Sequence, residues 1–246
     1  MTALGNPKPV RIGVLVVPPI QLLDLSPVDL FDMLTKEYLQ ACNLPAPLIA
    51  LGVPISITHI SFAGANSIAA CTANVGLRIN AGLSDASVKP GELDILLVPG
   101  TDPNTVPREE ELDFVRKHVE AGVTLMTICT GIFVAAYAGV LDGKKATGSR
   151  ALVSMILKKK FPRVEWSEKR WVQDGKMWTS GGITNGQDMV AAYIHQRWPG
   201  PVANTVCAMA DVGNRSAEYD NGSVKENAWW VWQIFRAWTM GFRKTK

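Results

Sequence analysis

Val123-Thr-Leu-Met-Thr-Ile-Cys129-Thr-Gly-Ile-Phe-Val-Ala-Ala136 is the stretch on which the fold turns. Val123 to Ile128 is a β-rich run, and Gly131 opens a stretch of small and apolar residues, Ile132 to Gly139, that reads as helix. One cysteine stands at the junction. A hydrophobic strand that ends at a cysteine and turns at once into a helix matches a nucleophile elbow, which presents a reactive side chain above the edge of a sheet. The tight turn holds such a residue in a sparsely populated backbone conformation, and Thr130 and Gly131 leave room for it. At a helix N-terminus the dipole and the free backbone N–H groups predict a lowered thiol pKa for Cys129. The competing reading is an inert core cysteine, which is the expectation for Cys42, Cys71 and Cys207.

The same stretch lies within Ala121–Leu141, 21 residues without charge and just long enough to span a bilayer. Its division into strand and helix argues against a span. A second uncharged stretch, Tyr38–Leu77, is interrupted by Pro45, Pro47 and Pro54 and cannot be one helix. No membrane span is expected. Ile12–Val17, Ile55–Phe62, Asp94–Val98 and Val123–Ile128 read as strands buried on both faces, the mark of a parallel sheet covered by helices.

The helices come from the intervening segments. Glu109–Ala121 has Pro107 near its start, glutamates at 109–111, Arg116, Lys117 and His118 toward its end, and Gly122 as a stop. These charges complement the helix dipole, and His118 is expected to serve as a dipole partner. Asp174-Gly175 between two β-like runs predicts a hairpin over Trp171–Trp178. Gly186–Trp198 predicts a further helix ended by Pro199-Gly200. The fold class is therefore α/β, with a mostly parallel central sheet and helices on both faces. Residues 1–200 are read as this domain. Residues 201–246 are read as an extension whose Trp-rich helix packs on the domain or across a dimer, with an interfacial membrane helix as the alternative.

Composition narrows the function. With 246 residues, 47% of them hydrophobic and 19% charged, the chain builds a core and is not disordered. A net charge of +3 is too small and scattered for a nucleic-acid footprint. Met1–Pro9 is short and polar, and the seven residues Arg11–Val17 that follow, ending at Pro18-Pro19, are not expected to make a signal peptide. The four cysteines show no C-x-x-C spacing, so neither a disulfide framework nor a zinc site is expected, and a reducing, cytoplasmic location is.

Ile128-Cys129-Thr130-Gly131, Val98-Pro99-Gly100, Leu23-Asp24-Leu25-Ser26-Pro27 and Thr179-Ser180-Gly181-Gly182-Ile183-Thr184 occur in an order that resembles the DJ-1/PfpI superfamily. The segment Ser180-Gly-Gly-Ile-Thr-Asn-Gly-Gln-Asp188 is most similar to its isocyanide hydratase branch. The resemblance covers roughly Arg11 to Pro199 and implies a flavodoxin-like sandwich, a homodimer, and an oxidation-prone cysteine with an acidic residue beside it. Asp24 is the choice for that acid and Asp29 the runner-up, because the segment lacks the family's glycine before Pro27. An aspartic acid held protonated near a thiolate could donate a hydrogen bond and shuttle a proton. Backbone N–H groups at Gly100, Thr101 and Thr130 are expected to form an anion pocket, with Ile183 and Thr184 in supporting positions.

Two departures bear on function. Thr130 stands where protease-like members carry histidine, and Ala146-Thr-Gly-Ser-Arg150 holds no histidine where others do. The absence of a Cys–His dyad argues against peptidase activity. The resemblance then implies an isocyanide-hydratase-like hydro-lyase acting on a small-molecule substrate, with Cys129 and Asp24 catalytic and no metal or organic cofactor. A cofactor-independent glyoxalase, or a related lyase or cyclase on a specialised metabolite, would use the same residues. A non-catalytic redox sensor is the alternative of a different class. The residues after 200 are too few for the DNA-binding half of the AraC-type regulators that share this domain.

Overall fold

Alternate residues of one strand enter two different cores. Along Ile95–Val98, Ile95 and Leu97 join one apolar cluster while Leu96 and Val98 join the other, and all four are fully buried. Ile12 and Val14 against Leu15 and Val17 divide in the same way. A sheet whose residues are apolar on both faces requires a helical layer on each side.

The structure, a computed structural model, describes residues 8–220 and 222–243. The chain before Lys8, and Lys244 and Lys246, lie outside the described residues. Six strands form the main sheet: β1 (Val10–Leu15), β2 (Ile55–Ile60), β3 (Ile95–Val98), β4 (Thr124–Ile128), β5 (Trp171–Asp174) and β6 (Met177–Ser180). Their order is β2-β1-β3-β4-β6-β5. Every neighbouring pair is parallel except the β5–β6 hairpin. The helices that matter for the site are α1 (Ser26–Asp32), α2 (Glu109–Glu120), α3 (Ile132–Tyr137), α4 (Thr184–Arg197), α5 (Pro201–Met209) and α6 (Ser223–Arg243). Leu112 and Val115 of α2 and Phe133 and Val134 of α3 pack into one core. Phe31 of α1, Met189, Val190 and Ile194 of α4, and Val202 and Val206 of α5 pack into the other. This is the expected flavodoxin-like α/β sandwich, with strand ends shifted by one or two residues.

Local signals act as read. Gly122, with φ 79°, follows α2 where a left-handed residue ends the helix. Gly175, with φ 58°, turns the β5–β6 hairpin. No helix of the described residues is long and apolar enough to cross a membrane.

Two readings need correction, those of His118 and Cys42. His118 is fully buried rather than an exposed dipole partner, with Nδ1 2.7 Å from the Phe114 carbonyl and Nε2 3.0 Å from the Val88 carbonyl. Burial lowers its pKa while the two carbonyls raise it, and the ring ties α2 to the loop before β3. The core also runs past residue 200, because Val202, Ala203, Val206 and Cys207 of α5 are buried in it. Cys42 is only half-buried, unlike Cys71 and Cys207. The described aromatic side chains of α6, Trp229 to Trp238, are half or more exposed in the single chain.

Gly131 fixes how closely α3 approaches the sheet. A Cβ there would stand 2.3 Å from the Val98 carbonyl oxygen and 2.7 Å from that of Pro99, both backbone atoms that cannot swing aside. Its φ of −57° is ordinary for a helix, so on propensity alone alanine would gain about 1 kcal/mol. Steric conflict with backbone should outweigh that gain, and Gly131→Ala is expected to destabilise the fold by about 2 kcal/mol. Thermal unfolding should show a drop of roughly 4–8 °C; an unchanged or raised midpoint would contradict the close approach.

Candidate functional site

In an open parallel sheet the crevice lies beyond the carboxyl ends of the strands, where the strand order reverses. Here β1 has β2 on one side and β3 on the other, which makes their carboxyl ends the switch point. Asp24 follows β1, Gly100 follows β3, Cys129 ends β4, and Gly181-Gly182 follows β6. Four separate chain segments thus deliver the motif residues to one place.

Cys129 has φ 55°, in the left-handed region that non-glycine residues seldom occupy. Such a backbone costs on the order of 1–3 kcal/mol and persists where the surroundings over-determine it. Its N–H donates to the Gly181 carbonyl at 3.1 Å, and the Thr130 hydroxyl donates to the Thr101 carbonyl. Ile183, with φ 35°, is a second strained residue, and its backbone bonds to Asp24.

Asp24 lies fully buried in a short 3₁₀ turn, Leu22–Leu25. The Gly100 N–H donates to Asp24 Oδ2 at 3.1 Å, while Oδ1 makes no hydrogen bond of ordinary geometry. A Cβ on Gly100 would stand 2.1 Å from that Oδ2, 2.9 Å from Thr130 Oγ1 and 3.2 Å from Cys129 Cβ. Only glycine allows the acid, the threonine and the thiol to converge there.

The two acids shift each other. Burial raises the Asp24 carboxyl to about 6, although the N–H groups of Gly100 and Ile183 and the Cys129 thiol draw it back. Burial also pushes the Cys129 thiol up, and the Asp24 charge adds to that; the Ser149 hydroxyl and Thr130 favour the thiolate but do not prevail. The lowered thiol pKa expected from the helix terminus is therefore reversed. A six-residue helix behind a dry pocket cannot offset desolvation plus a carboxylate neighbour. Near neutral pH the proton rests on sulfur and the carboxylate is the base, not the protonated acid beside a thiolate.

The other expected residues divide. Thr101 is buried and its carbonyl receives the Thr130 hydroxyl, so that hydroxyl is already engaged. The Gly100 N–H is directed at Asp24 and holds the acid rather than an anion pocket. Ile183 reaches Asp24 through its backbone. Thr184 opens α4 with an exposed side chain, and Asp29 is exposed on α1.

Ser149 was missed. Its hydroxyl lies 3.2 Å from Cys129 Sγ, and a Cβ on Gly182 would be 3.9 Å from both atoms. The signal is its place in Ala146–Arg150, the segment that holds no histidine. Tyr219 comes from the loop after α5. It stacks between the guanidinium groups of Arg150 and Arg170, 4.4 and 4.9 Å from its ring centre, and its hydroxyl accepts from Asn185 Nδ2 at 3.0 Å. The loop carrying it is tethered by the Arg215–Asp188 ion pair and by the Gly213 N–H to Asp188 at 3.2 Å. Asp188, the last residue of the Ser180–Asp188 motif, thus holds a covering loop.

A separate cleft of about 880 Å³ lies at the opposite ends of the strands, lined by Arg11, Asp94, Thr124 and Lys176 among others. Arg11 is bound to Asp94 and Glu92, and Lys176 to the Gly122 carbonyl, so this cleft offers structural pairings rather than a reactive group.

The chain is 35% identical over 99 residues to isonitrile hydratase of Pseudomonas putida, covering 39% of this chain and 42% of that protein. It is 31% identical over 111 residues to deglycase TK1284 of Thermococcus kodakarensis, covering 44% and 64%. The matched region thus spans under two thirds of either relative. A crystal structure of an AraC family transcriptional regulator from Pseudomonas putida superposes with a TM-score of 0.66 at 17% identity, over 82% of this chain and 100% of that one. The DJ-1/PfpI family model matches residues 37–196, well over half of the sequence, and the chain belongs to that family.

Proposed function

We propose that the protein is an isocyanide-hydratase-like hydro-lyase in which Cys129 is the nucleophile and Asp24 the proton carrier. The observation that carries this reading is the buried Asp24 carboxyl set against the Cys129 thiol without an imidazole. The three histidines are elsewhere: His59 in β2 bonded to Asn80, His118 between two carbonyls, and His195 on α4. The partial identity to isonitrile hydratase points the same way.

The chemistry follows from where the proton rests. As sulfur attacks the terminal carbon of R–N≡C, the Asp24 carboxylate takes the thiol proton and delivers it to that carbon, leaving a thioimidate, Cys–S–CH=N–R. Water then adds at the same carbon, passing a proton by way of Asp24 to nitrogen. Collapse of the adduct breaks the C–S bond, releases R–NH–CHO, and returns a proton to sulfur. Ser149 at 3.2 Å supports the departing thiolate, and Tyr219 closes the site against bulk water. The likeness to a deglycase favours, as a second reading, attack of the same thiol on a carbonyl carbon.

Paired turnover of an aryl isocyanide and of methylglyoxal tests both. Cys129→Ala should abolish formamide production; lactate formation instead would move the protein to the glyoxalase class, and inactivity on both would reject the hydratase reading. Asp24→Asn should lower kcat on the order of 10²–10⁴-fold. In the parent, kcat/KM should rise with pH through a midpoint near 6 as Asp24 ionises, and this limb should vanish in Asp24→Asn.

The same substitution should stabilise the fold. A carboxyl raised from 3.8 to about 6 is no burden below its unfolded pKa, and destabilises increasingly as pH climbs through its folded value. Asp24→Asn should therefore match the parent near pH 4 and exceed it by about 2–3 kcal/mol at pH 8. Equal stabilities at both pH values would argue against a strained carboxylate. Tyr219→Ala should raise KM several-fold and speed alkylation of Cys129 by iodoacetamide, whereas an unchanged alkylation rate would remove Tyr219 from the cover.

A further inference from the structure

Helix α6 leaves its aromatic side chains in solvent. From Trp229 to Met240 its large apolar residues range in exposure from 50% at Phe235 to 67% at Val231 and Ile234. Its ring pairs, Trp229 with Trp230 and Trp232 with Phe235, run along the helix itself. Exposed apolar surface of this extent marks a contact with something else.

The arrangement around the helix says what. At about 100° per residue, Trp230, Ile234 and Trp238 share one face, and Val231 and Phe235 widen it to an arc of roughly 140°. Lys225 lies about 180° from Ile234, and Arg236 within about 20° of Lys225, so the cations form a stripe opposite the apolar arc. Trp229 and Trp232 flank that stripe on its two sides, about 60–100° outside the apolar arc, which sets their indoles at headgroup level. From Ser223 onward the sequence carries five basic residues and one acidic residue, Glu226. That local charge of +4 exceeds the +3 of the whole chain. A seam between two helices wants a narrow aliphatic stripe repeating every 3.5 residues and charges of both signs beside it. This helix has a broad, largely aromatic arc, and Glu226 is the one acidic residue of its sequence.

We propose that α6 binds the surface of an anionic lipid bilayer, lying in the interface with its aromatic arc among the acyl chains and its basic stripe at the headgroups. It is not apolar enough to cross, which fits an in-plane position. The catalytic domain would then work beside a membrane, where apolar small molecules concentrate.

Co-sedimentation of the full chain with phosphatidylcholine vesicles, with and without phosphatidylglycerol, tests this. Four of the eight tryptophans are in α6, so their emission reports insertion directly. Binding with a blue shift is expected on the anionic vesicles, at least tenfold weaker on the neutral ones and in high salt. Lys225→Glu with Arg236→Glu, which leaves the apolar arc intact, should lose at least tenfold in affinity. Ile234→Glu with Trp238→Glu should lose both binding and blue shift while keeping the parent's unfolding midpoint. Equal binding to neutral and anionic vesicles would overturn the proposal. So would no binding at all, or a dimer in sedimentation velocity that the Ile234→Glu and Trp238→Glu pair abolishes without any vesicle affinity in the parent.

Discussion

The Cys129 amide donates to the Gly181 carbonyl at 3.1 Å, and this bond joins the ends of β4 and β6 where the β4 backbone turns into the left-handed region. The strain is tolerated because the chain on each side is held. Ile128 is fully buried, Gly131 presses against the Val98 and Pro99 carbonyls, and Thr130 is bonded to the Thr101 carbonyl. Releasing any of these would let the turn relax toward an ordinary helix start and would move the thiol from the switch point. The sheet therefore does more than support the site: its packing against α3 sets the angle at which sulfur is presented.

A second constraint is electrostatic. A dry pocket raises the proton affinity of any acid placed in it, and this one contains both a carboxyl and a thiol. Only one of the two can readily ionise, and the carboxyl is the stronger acid. In the proposed reaction the pair thus needs a single mobile proton and no imidazole, which fits addition to a carbon that must itself be protonated. The Gly100 N–H bound to Asp24 keeps the carboxyl facing the thiol.

The chain beyond residue 200 serves two environments. Helix α5 completes a core, and the loop after it returns over the site through Arg215, Tyr219 and the Arg170–Asp220 ion pair. Helix α6 then presents Trp and Phe side chains outward. The first part buries its apolar residues within the fold, while the second keeps them for an external surface.

Much of the fold was legible locally. Two-sided apolar strands, the glutamate-first helix of Glu109–Glu120 and the Asp174-Gly175 hairpin rest on periodicity, dipole complementarity and turn geometry, which act within a few residues. The cysteine at the strand–helix junction was visible for the same reason, and the order of the motifs pointed to Asp24. What sequence could not supply was proximity across the sheet. Ser149 beside the thiol, Tyr219 between two guanidinium groups and the dual carbonyl contacts of His118 all join residues distant in the chain. The direction of the Cys129 shift belongs with these. A helix terminus is a local feature and argues for a thiolate, whereas the burial and the carboxylate that reverse it exist only once β1, β3 and β4 lie side by side. By itself the sequence determined which groups could react; tertiary structure decided where their proton rests, because desolvation is a property of the assembled pocket and not of any segment of the chain.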